Sequence, residues 1–517
     1  MNRLKQNKMM QEALALHQSG QLDAAETKYK KLLKILPSNT DLLTSLGTVA
    51  LQKGLLENGI RIIEKSLQIN SKQPEANYNL GNALKDLKRL DEALASYDRA
   101  IVLKPDYADA YSNRGNTLKD LKRLDEALAS YDHAIVLKPD YAEVHYNRGN
   151  TLQDLKKMDE ALASYDRAII LKPDYAKALN NRGLSLQNLK RLDEALVSFD
   201  RAIVLKPDYA EANWNKSLLK ILNGDYLEGW QLYEWRWKKE PLINYLRVYK
   251  QPLWLGNESL INKTLLIYPE QGFGDYIQFI RYAVLVEQLG AKVIIEAPLD
   301  LMILCSTLKG QFTLVENRKP LPDFDYHCPV MSLPLAFKTT LETIPAQIPY
   351  LYVNEDKKQK WQEKLGKKTV TRIGLVWSGS PTQSNDHNRS LLLQRLTGIL
   401  ELPLEFHSLQ KEVRVVDVKT LTDFPHIRQH QDDLKDFSDT AALIDAMDII
   451  ISVCTSVAHL AGAMGKKVFI LLPYASDYRW MIDRTDSPWY PTATLFRQPA
   501  LDDWETAIAE IKQLLVN

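Results

Sequence analysis

The sequence predicts a helical repeat solenoid followed by an α/β region that consists of two parallel-sheet lobes. A repeat of 34 residues runs through the N-terminal half of the chain. After it, strand–loop–helix units begin near residue 264, and a fresh set of such units begins near residue 372. Strands that alternate with helices are typical of parallel sheets built from βαβ units.

The chain is too long for a single core, because 517 residues correspond to roughly three units of about 150 residues each. Its hydrophobic content of 45% and charged content of 25% are typical of folded globular protein and exclude wholesale disorder. The 66 basic and 65 acidic residues leave a formal net charge of +1. This balance favours neither a nucleic-acid partner nor an anionic membrane.

The N-terminal segment is amphipathic and interrupted by charges, so it lacks the apolar core of about 7–15 residues that a secretory signal needs. No stretch approaches the roughly 18 apolar residues of a membrane span. The cysteines, Cys305, Cys328 and Cys454, are widely spaced and form neither a disulfide framework nor a CxxC metal site. These observations predict a cytoplasmic, reducing location.

Glycine, alanine and proline mark the repeat at fixed positions. Each block contains two amphipathic segments, such as EANYNLGNALKDL and DEALASYDRAIVL, and ends in KPDY. The small residues are expected where paired helices approach closely, and the proline is expected to end the second helix. The recurring positions are Gly47, Gly81, Gly115, Gly149 and Gly183; Ala93, Ala127, Ala161 and Ala195; and Pro105, Pro139, Pro173 and Pro207.

This pattern resembles the tetratricopeptide repeat. A weaker unit precedes the regular blocks, and a last unit degenerates into aromatic residues that end near Trp237. We therefore expect about six repeats plus a terminal helical pair, with the solenoid over residues 1–239 and a linker over 240–260. Such repeats bury their apolar faces only against neighbours, so the terminal pair is expected to cap the stack against the next domain.

One asparagine recurs in successive repeats and would form a ladder along the groove that the first helices line. The protein O-GlcNAc transferases, which this region resembles, hold substrate peptides with such a ladder, since side-chain amides pair with a peptide backbone. The resemblance implies an acceptor-protein site, and the alternative, a role in repeat packing alone, stays open. The ladder comprises Asn79, Asn113, Asn147, Asn181 and Asn215.

Two lobes are predicted from the strands of the C-terminal half. In residues 261–354, the apolar run TLLIY precedes the loop PEQGFGD and the helical segment YIQFIRYAVLVEQLG, and KVIIEA and FDYHCPV add strands. In residues 355–517, the strand-bearing segments are RIGLVWSGSP, LEFHSLQKE, DIIISV and KVFILLP. Two Rossmann-like lobes with a cleft between them describe the GT-B architecture, in which ligands bind at the carboxyl ends of the strands.

Three segments resemble the heptosyltransferase-related glycosyltransferases: QGFGD after the first strand, WSGSP opening the second lobe, and TSVAHLAGAMGKKV near its end. The tail SPWYPTATLFRQP and the helix after it fit the bacterial group that fuses this domain to tetratricopeptide repeats. That group includes transferases that modify flagellin. The resemblance implies an acceptor side in the first lobe and a nucleotide-sugar side in the second.

The resemblance also implies that Asp275 is the base of an inverting sugar transfer. This residue lies where the loop after the first strand meets its helix, and it matches the family's catalytic aspartate. Gln271, Gly272 and Gly274 belong to the same loop and are assigned to the donor, since glycines let the backbone approach a ligand closely. Helix capping by Asp275 is the alternative, and both roles can coexist.

Loops of the second lobe supply the other donor-binding candidates. Thr455 and Ser456 open a helix and match the family's phosphate-side loop, with His459 one turn further; capping and packing are the alternatives. Cys454 is a departure, because relatives usually carry aspartate there and a thiol cannot replace a carboxylate as an acceptor. The remaining candidates, for which an ordinary polar loop is the alternative, are Ser378, Gly379, Arg389, Gln410, Lys411 and Glu412.

No metal or cofactor is expected beside the nucleotide-sugar substrate, because a helix N-terminus and a cationic side chain can hold the leaving diphosphate. Asp323 and Asp325 spell DxD, the metal–nucleotide pattern of a different glycosyltransferase fold, but here they introduce the strand FDYHCPV. The GFG motif is too short to indicate a dinucleotide site.

The sequence therefore predicts an inverting, metal-independent glycosyltransferase. It would move a sugar to a serine or threonine hydroxyl of a protein captured by the repeats, with flagellin as the acceptor that the resemblance suggests. Two alternatives stay open. One is a non-enzymatic repeat adaptor with a decayed transferase domain, which Cys454 favours, and the other is transfer to a carbohydrate or lipid acceptor.

Overall fold

A computed structural model describes residues 3–383 and 385–516. The chain divides into two compact units, Met1–Lys206 and Pro207–Asn517. The described part of the first unit is helical, and the second unit carries two parallel sheets. Each unit is built around its own core.

Helices of the first unit come in consecutive pairs. The two helices of a pair pack together, and the second packs against the first helix of the next pair. The first helices of successive pairs also contact one another, as expected for helices that line the inner side of a solenoid. The described helices are α1 (Arg3–Gln18), α2 (Leu22–Leu33), α3 (Thr40–Gln52), α4 (Leu56–Ile69), α5 (Pro74–Asp86), α6 (Leu90–Leu103), α7 (Ala108–Asp120), α8 (Leu124–Leu137), α9 (Ala142–Asp154), α10 (Met158–Leu171), α11 (Ala176–Asn188) and α12 (Leu192–Leu205).

A close glycine–aromatic contact holds each regular pair together. A Cβ atom on Gly115 would lie 2.6 Å from Cε1 of Tyr131, well inside van der Waals contact. The equivalent glycines of the neighbouring repeats face Tyr97 and Tyr165 in the same way. All three tyrosines are fully buried. The predicted close approach of the paired helices at the recurring glycine is therefore confirmed.

The second unit begins with a helical pair, α13 (Ala210–Leu222) and α14 (Tyr226–Tyr233), that packs against the α/β part. The ring of Trp230 lies 5.9 Å from that of Phe279 and 6.2 Å from that of Tyr478, measured between centroids. The sequence assigns this aromatic-rich pair to the end of the solenoid, whereas the boundary between the compact units lies before it. Its aromatic side chains are the physical reason, because they are buried against the α/β part.

The first sheet has four parallel strands in the order β3-β2-β1-β4. Its elements are β1 (Thr264–Tyr268), α15 (Phe273–Phe279), α16 (Tyr282–Gln288), β2 (Lys292–Ala297), α17 (Met302–Cys305), β3 (Phe312–Glu316), β4 (Tyr326–Pro329) and α18 (Leu333–Ala336). In the observed register, Leu265 of β1 lies opposite Val293 on one side and Tyr326 on the other. The strand order thus reverses beside β1.

The second sheet has six parallel strands in the order β10-β9-β8-β5-β6-β7. Its elements are α19 (Glu355–Leu365), β5 (Arg372–Val376), α20 (Asp386–Arg389), α21 (Thr397–Leu400), β6 (Glu405–Ser408), α22 (Val418–Asp423), β7 (Arg428–Gln429), α23 (Phe437–Asp445), β8 (Ile449–Val453), α24 (Ser456–Ala463), β9 (Val468–Leu472), β10 (Ala493–Arg497) and α25 (Trp504–Val516). Counted along the chain, this is the doubly wound strand order, which reverses beside β5. The second unit is therefore an α/β structure, as the sequence predicts.

The structure differs from the prediction near Asp275. The helix expected over YIQFIRYAVLVEQLG begins earlier, at Phe273, and is interrupted between α15 and α16. The interruption has a local cause: Nε of Arg281 donates a hydrogen bond of 2.7 Å to the carbonyl oxygen of Gln278, which inserts a side chain into the helical hydrogen-bond ladder. Asp275 consequently lies inside the first turn of α15.

Among the described residues, no helix is both long enough and apolar enough to cross a bilayer. The cysteines Cys305, Cys328 and Cys454 are all free thiols. The first two are buried in the first-sheet region.

Replacing Gly115 with alanine should destabilise the solenoid by about 1–2 kcal/mol, because overpacking against Tyr131 outweighs the gain in helix propensity. Urea unfolding followed by far-UV circular dichroism measures the change. Asp120→Ala, at an exposed position of the same helix, is the matched control and should shift stability by less than about 0.5 kcal/mol. Equal unfolding midpoints for both variants would show that α7 and α8 have room to separate.

Candidate functional site

The candidate site lies where the switch points of the two sheets face each other. In the first sheet β1 stands between β2 and β4, and in the second β5 stands between β6 and β8. Open parallel sheets bind ligands outside the carboxyl ends of their strands at such points. The helices that follow β1 and β8, which are α15 and α24, pack against each other. The loops at the carboxyl ends of both sheets therefore meet.

Gly274 sets the distance between these two helices. A Cβ atom on this residue would lie 3.0 Å from Cδ2 of His459 and 3.5 Å from Cα of Ser456. The first distance is tighter than an ordinary van der Waals contact and the second is an ordinary contact, so a larger residue would displace the ring of His459. Three predicted site residues, Gly274, Ser456 and His459, are thus brought into direct contact.

The two carboxylate oxygens of Asp275 have different partners. Oδ2 accepts a hydrogen bond of 3.2 Å from the N–H of Gly272, the N-cap residue of α15. Oδ1 accepts from Nη2 of Arg479, in an ion pair with the loop after β9. Burial raises the pKa of Asp275, and the guanidinium of Arg479 opposes the rise. Asp275 therefore caps its helix with one oxygen and faces the second sheet with the other.

Arg479 is a site residue that the sequence analysis misses. Its Nη1 also pairs with Asp477 at 2.7 Å. Its Nε is buried and has no hydrogen-bond partner among the residues that the structure describes. The sequence could have indicated Arg479 through its place in the loop that follows β9, at the carboxyl end of the second sheet.

His459 is a buried, neutral imidazole in the wall of the site. Its ring stacks on Trp480 with 5.2 Å between centroids, and its Nδ1 lies 3.0 Å from the hydroxyl of Tyr490. Burial lowers the pKa of His459 well below its usual range, and the positive charges of Arg479 and two further arginines lower it more. The packing alternative accounts for these contacts, and the ring edge that faces Gly274 adjoins the candidate site.

The first turn of α24 lacks a side-chain cap. Thr455 is the N-cap residue, but its hydroxyl lies 3.2 Å from that of Ser452 instead of capping the helix. Arg389 donates from Nη1 to the carbonyl oxygen of Cys454 at 3.1 Å, so its guanidinium lies beside this turn. Uncapped N–H groups and an adjacent arginine together favour a negatively charged ligand.

The side chain of Cys454 contacts the indole of Trp480. Nε1 of Trp480 donates to Sγ of Cys454 at 3.0 Å. Burial raises the pKa of this thiol to about 11, so the sulfur stays protonated at neutral pH. The position that carries a carboxylate in the resembling family here holds an uncharged contact between β8 and the loop after β9.

Ser378, Gly379 and Gln410 lie at the carboxyl ends of β5 and β6, and their polar groups already have partners. Nε2 of Gln410 donates to Oγ of Ser378 at 2.9 Å, and Oε1 of Gln410 accepts from the backbone N–H of Ser378 at 3.4 Å. The N–H of Gly379 donates to Oγ of Ser390 at 2.9 Å. A phosphate must therefore displace existing hydrogen bonds to reach these groups.

Three further residues are candidates for nucleotide-sugar binding, and two of them contact other parts of the second unit. Lys411 donates from Nζ to the carbonyl oxygen of Gln431 at 3.1 Å, whereas Glu412 is exposed. Gln271 donates from Nε2 to the hydroxyl of Tyr233 on α14 at 3.2 Å. Their assignment to the donor stays a prediction.

The asparagines of the predicted ladder bind the preceding repeat. Nδ2 of Asn113 donates to Oδ1 of Asn82 at 2.8 Å, and the same oxygen accepts from the hydroxyl of Tyr97 at 2.7 Å. Asn147 and Asn181 make the equivalent bonds one and two repeats further. Their amide N–H groups thus take part in packing between repeats, as the packing alternative expects.

The two end members of the ladder differ from the middle ones. Asn79 donates from Nδ2 to the hydroxyl of Thr48 at 3.1 Å. Asn215 is buried and belongs to the second unit. A regular ladder is therefore formed by the central asparagines, and peptide binding by it stays a prediction.

Asp325 of the DxD motif lies at the amino end of the first sheet. Its Oδ2 accepts a hydrogen bond of 2.8 Å from the N–H of Thr264, the first residue of β1, and Lys263 lies 3.4 Å from its Oδ1. The motif is therefore at the opposite end of β1 from Asp275. Among the residues that the structure describes, no three His, Cys, Asp or Glu side chains cluster closely enough to hold a metal ion.

A buried ion pair anchors the loop that carries Asp275. Nε of Arg236, which is fully buried after α14, lies 2.7 Å from Oε2 of Glu270 in the loop after β1. Oε1 of Glu270 accepts from the N–H of Met331, directly after β4, at 2.9 Å. Burial raises the pKa of Glu270, and the charge of Arg236 opposes the rise. One carboxylate thus joins the helical pair to the loops after β1 and β4.

Comparison with known families identifies the repeats. Residues 81–122 and 115–156 match the family described as TPR repeat, and residues 142–175 and 176–209 match the family described as Tetratricopeptide repeat. Residues 81–209 are tetratricopeptide repeats. These matches cover the most regular part of the 34-residue pattern and leave the α/β part unassigned.

Similar proteins include one curated relative and several solved structures. Protein FlbA of Caulobacter vibrioides is 24% identical over 329 residues, which cover 58% of this chain and 54% of FlbA. The chain thus spans about half the length of this curated relative. Among solved structures, YrrB, a TPR protein with an unusual peptide-binding site, is 23% identical over 37% of this chain and 98% of its own, with a TM-score of 0.34. MamA is 28% identical over 32% of this chain and 96% of its own, with a TM-score of 0.30.

Glu270→Gln should destabilise the second unit by about 3 kcal/mol, because it leaves the buried charge of Arg236 partly uncompensated. All ten tryptophans of the chain lie in that unit, so urea unfolding followed by tryptophan fluorescence reports on it alone. The double variant Arg236→Met with Glu270→Leu removes both charges and should recover most of the loss. Arg236 also pairs with Glu234 through Nη1 at 2.5 Å, and a parental midpoint for Glu270→Gln would mean that Glu234 alone balances its charge.

Proposed function

We propose that the protein is an inverting glycosyltransferase of GT-B architecture that moves a sugar from a nucleotide-sugar donor to a protein acceptor. The observation that carries this proposal is the meeting of two switch points, with a carboxylate from one and an uncapped helix N-terminus with arginines from the other. A transferase needs this combination, because one side must accept a proton and the other must hold a leaving diphosphate.

Asp275 is the base in this mechanism. It takes the proton of a serine or threonine hydroxyl while the hydroxyl oxygen forms a bond to the anomeric carbon and the bond from that carbon to the diphosphate breaks. Because attack and departure occur on opposite faces of the sugar, the anomeric configuration inverts. Burial raises the pKa of the carboxyl, which makes it a stronger base than an exposed aspartate.

The leaving diphosphate lies at the first turn of α24. Its charge is compensated by the uncapped N–H groups of that turn and by Arg389, which is held there by the carbonyl oxygen of Cys454. Arginine suits this role, since its planar guanidinium matches phosphate oxygens bidentately. The same groups make the mechanism metal-independent in this proposal.

The repeats supply the acceptor. Tetratricopeptide repeats are protein-interaction modules, and the first helices of the central repeats here carry the half-buried asparagines Asn113, Asn147 and Asn181. A protein held in this way is modified on serine or threonine, with flagellin as the acceptor that the resemblance to bacterial transferases suggests.

A repeat adaptor without transferase activity is the second candidate. The observation that favours it is the contact of Cys454 with Trp480, which replaces the carboxylate of the resembling family. In that case the parent chain would show no transfer with any nucleotide-sugar tested, and rescue of activity by Cys454→Asp would locate the decay at this position.

A nucleoside diphosphate should stabilise the protein in the presence of EDTA. Thermal-shift screening of UDP, GDP and CDP measures this, because a ligand that binds only the native state raises the melting temperature. Arg389→Ala should weaken the binding about tenfold or more, since it removes charge-assisted hydrogen bonds. Arg395→Ala, which removes a more exposed arginine paired with Glu505, is the control and should bind as the parent does. Affinity that disappears in EDTA would contradict the metal-independent mechanism.

Asp275→Asn should lower the transfer rate by about 10²–10⁴-fold, because general-base catalysis is lost while asparagine keeps the side-chain shape. The rate is measured as the mass shift of a co-expressed acceptor protein. The melting temperature should fall, because Arg479 keeps only Asp477 as a charged partner, whereas donor binding should persist and an amide oxygen still caps the helix. Asp503→Asn changes a comparable capping carboxylate at the start of α25 and should transfer normally. Near-normal transfer by Asp275→Asn would leave the residue with capping alone.

A further inference from the structure

Arg479 lies between the proposed base and the proposed diphosphate position. Its Nη2 pairs with Asp275, and the next residue, Trp480, is fixed to the start of α24. Trp480 stacks on His459 at 5.2 Å between centroids and donates to Sγ of Cys454 at 3.0 Å. The chain on one side of Arg479 is therefore held against the turn where the diphosphate would lie.

The paired arrangement leaves Asp275 poorly placed to accept a proton. Oδ1 holds the guanidinium of Arg479, and Oδ2 holds the N–H of Gly272. Both hydrogen bonds stabilise the ionised carboxylate and oppose the rise in pKa that burial causes, so they weaken the base. Proton transfer from an acceptor hydroxyl is therefore favoured when one of these donors leaves.

Of the two hydrogen-bond donors, Arg479 is the one that can leave Asp275, because the hydrogen bonding of its guanidinium is incomplete. Nε is buried without a partner among the described residues, although the side chain is only 11% exposed. A phosphate at the first turn of α24 would give this guanidinium charged acceptors in the bidentate geometry that arginine prefers. Gly272 has no comparable alternative, since its N–H belongs to the capping arrangement of α15.

We propose that Arg479 exchanges partners when the nucleotide-sugar binds. Its guanidinium pairs with Asp275 in the empty site and with the diphosphate in the loaded site. This inference rests on the proposed function. The exchange makes Arg479 a positioning residue for Asp275. Oδ1 of Asp275 is released from the guanidinium once the nucleotide-sugar is present. The acceptor proton then goes to Oδ1, and the negative charge that develops on the departing diphosphate meets the guanidinium that Asp275 has released.

A double-mutant cycle tests the exchange through binding alone. UDP, GDP and inorganic pyrophosphate are titrated by calorimetry, in EDTA, into the parent chain, Asp275→Asn, Arg479→Gln and the double variant. The titrations are run at about pH 8.5, well above the ordinary pKa range of a carboxyl, so that the raised pKa of Asp275 affects the comparison least. Asp275→Asn should tighten binding about tenfold, because it frees Arg479 for the diphosphate. Arg479→Gln should weaken binding by a similar factor.

The comparison between backgrounds decides the outcome. Simple repulsion between Asp275 and the ligand acts with or without Arg479, so it tightens binding equally in both backgrounds. Exchange predicts that Asp275→Asn changes affinity less than about twofold once Arg479 is glutamine. Equal tightening in both backgrounds, or none in either, would overturn the exchange and leave the proposed function standing. Parental protein that binds none of the three probes would overturn both.

Arg479→Lys keeps the test usable if Arg479→Gln does not fold, as judged by tryptophan fluorescence and circular dichroism. Lysine retains the charge and lacks the bidentate fork, so Asp275→Asn in this background should tighten binding by a smaller factor than in the parent. The same factor in both backgrounds would contradict the role of the guanidinium.

Discussion

The close approach of Gly274 to His459 is the constraint on which the candidate site depends. It allows α15, which follows the first sheet, to rest on α24, which follows a strand of the second. A side chain at this position would crowd the ring of His459. With the helices in contact, Asp275 reaches Arg479 across the junction, and the carboxyl ends of the two sheets form one site. A residue without a side chain therefore determines which charged groups meet.

Buried arginines, together with the aromatic contacts of the helical pair, join the parts of the second unit. Arg236 connects the helical pair to the loop after β1 through Glu270. Arg281 is 3% exposed and donates to the carbonyl oxygen of Trp489 at 2.8 Å, which connects the break between α15 and α16 to the segment before β10. Arg479 connects the loop after β9 to α15. Guanidinium groups make several directed hydrogen bonds each, so these junctions have defined geometry where apolar packing alone would allow sliding.

The parts of the fold that depend on local sequence pattern are predictable. The apolar runs TLLIY and KVIIEA correspond to β1 and β2, and the recurring glycine correctly locates the tight contact within each helical pair. β3 escapes prediction because its side chains are largely half-exposed at the edge of the sheet, so its run is less apolar than the others. The break before α16 also escapes, because it arises from a hydrogen bond that only the folded backbone creates.

Of the two residues that make a contact in the candidate site, the sequence predicts only one. Asp275 and the TSVAH turn are recognisable from their loops, but the partner of Asp275 lies 204 residues further along the chain. No local pattern relates residues at that separation; only the packing of α15 on α24 does. The same limit applies to Ser378 and Gln410, whose residue types suit a ligand but whose hydrogen bonds are made with each other.

The hydrogen bonds between repeats have a consequence for the evolution of the solenoid. Oδ1 of Asn82 accepts one bond from a tyrosine of its own repeat and one from Asn113 of the next, and the oxygens of Asn116 and Asn150 do the same. Each repeat thus offers its successor the same acceptor that its predecessor offered to it. Duplication or deletion of a whole 34-residue unit by recombination would recreate every such bond at the new junction, whereas a break inside a unit would leave an acceptor and a donor unmatched. The number of repeats can therefore change in single steps, and the length of the groove is open to selection independently of the α/β unit.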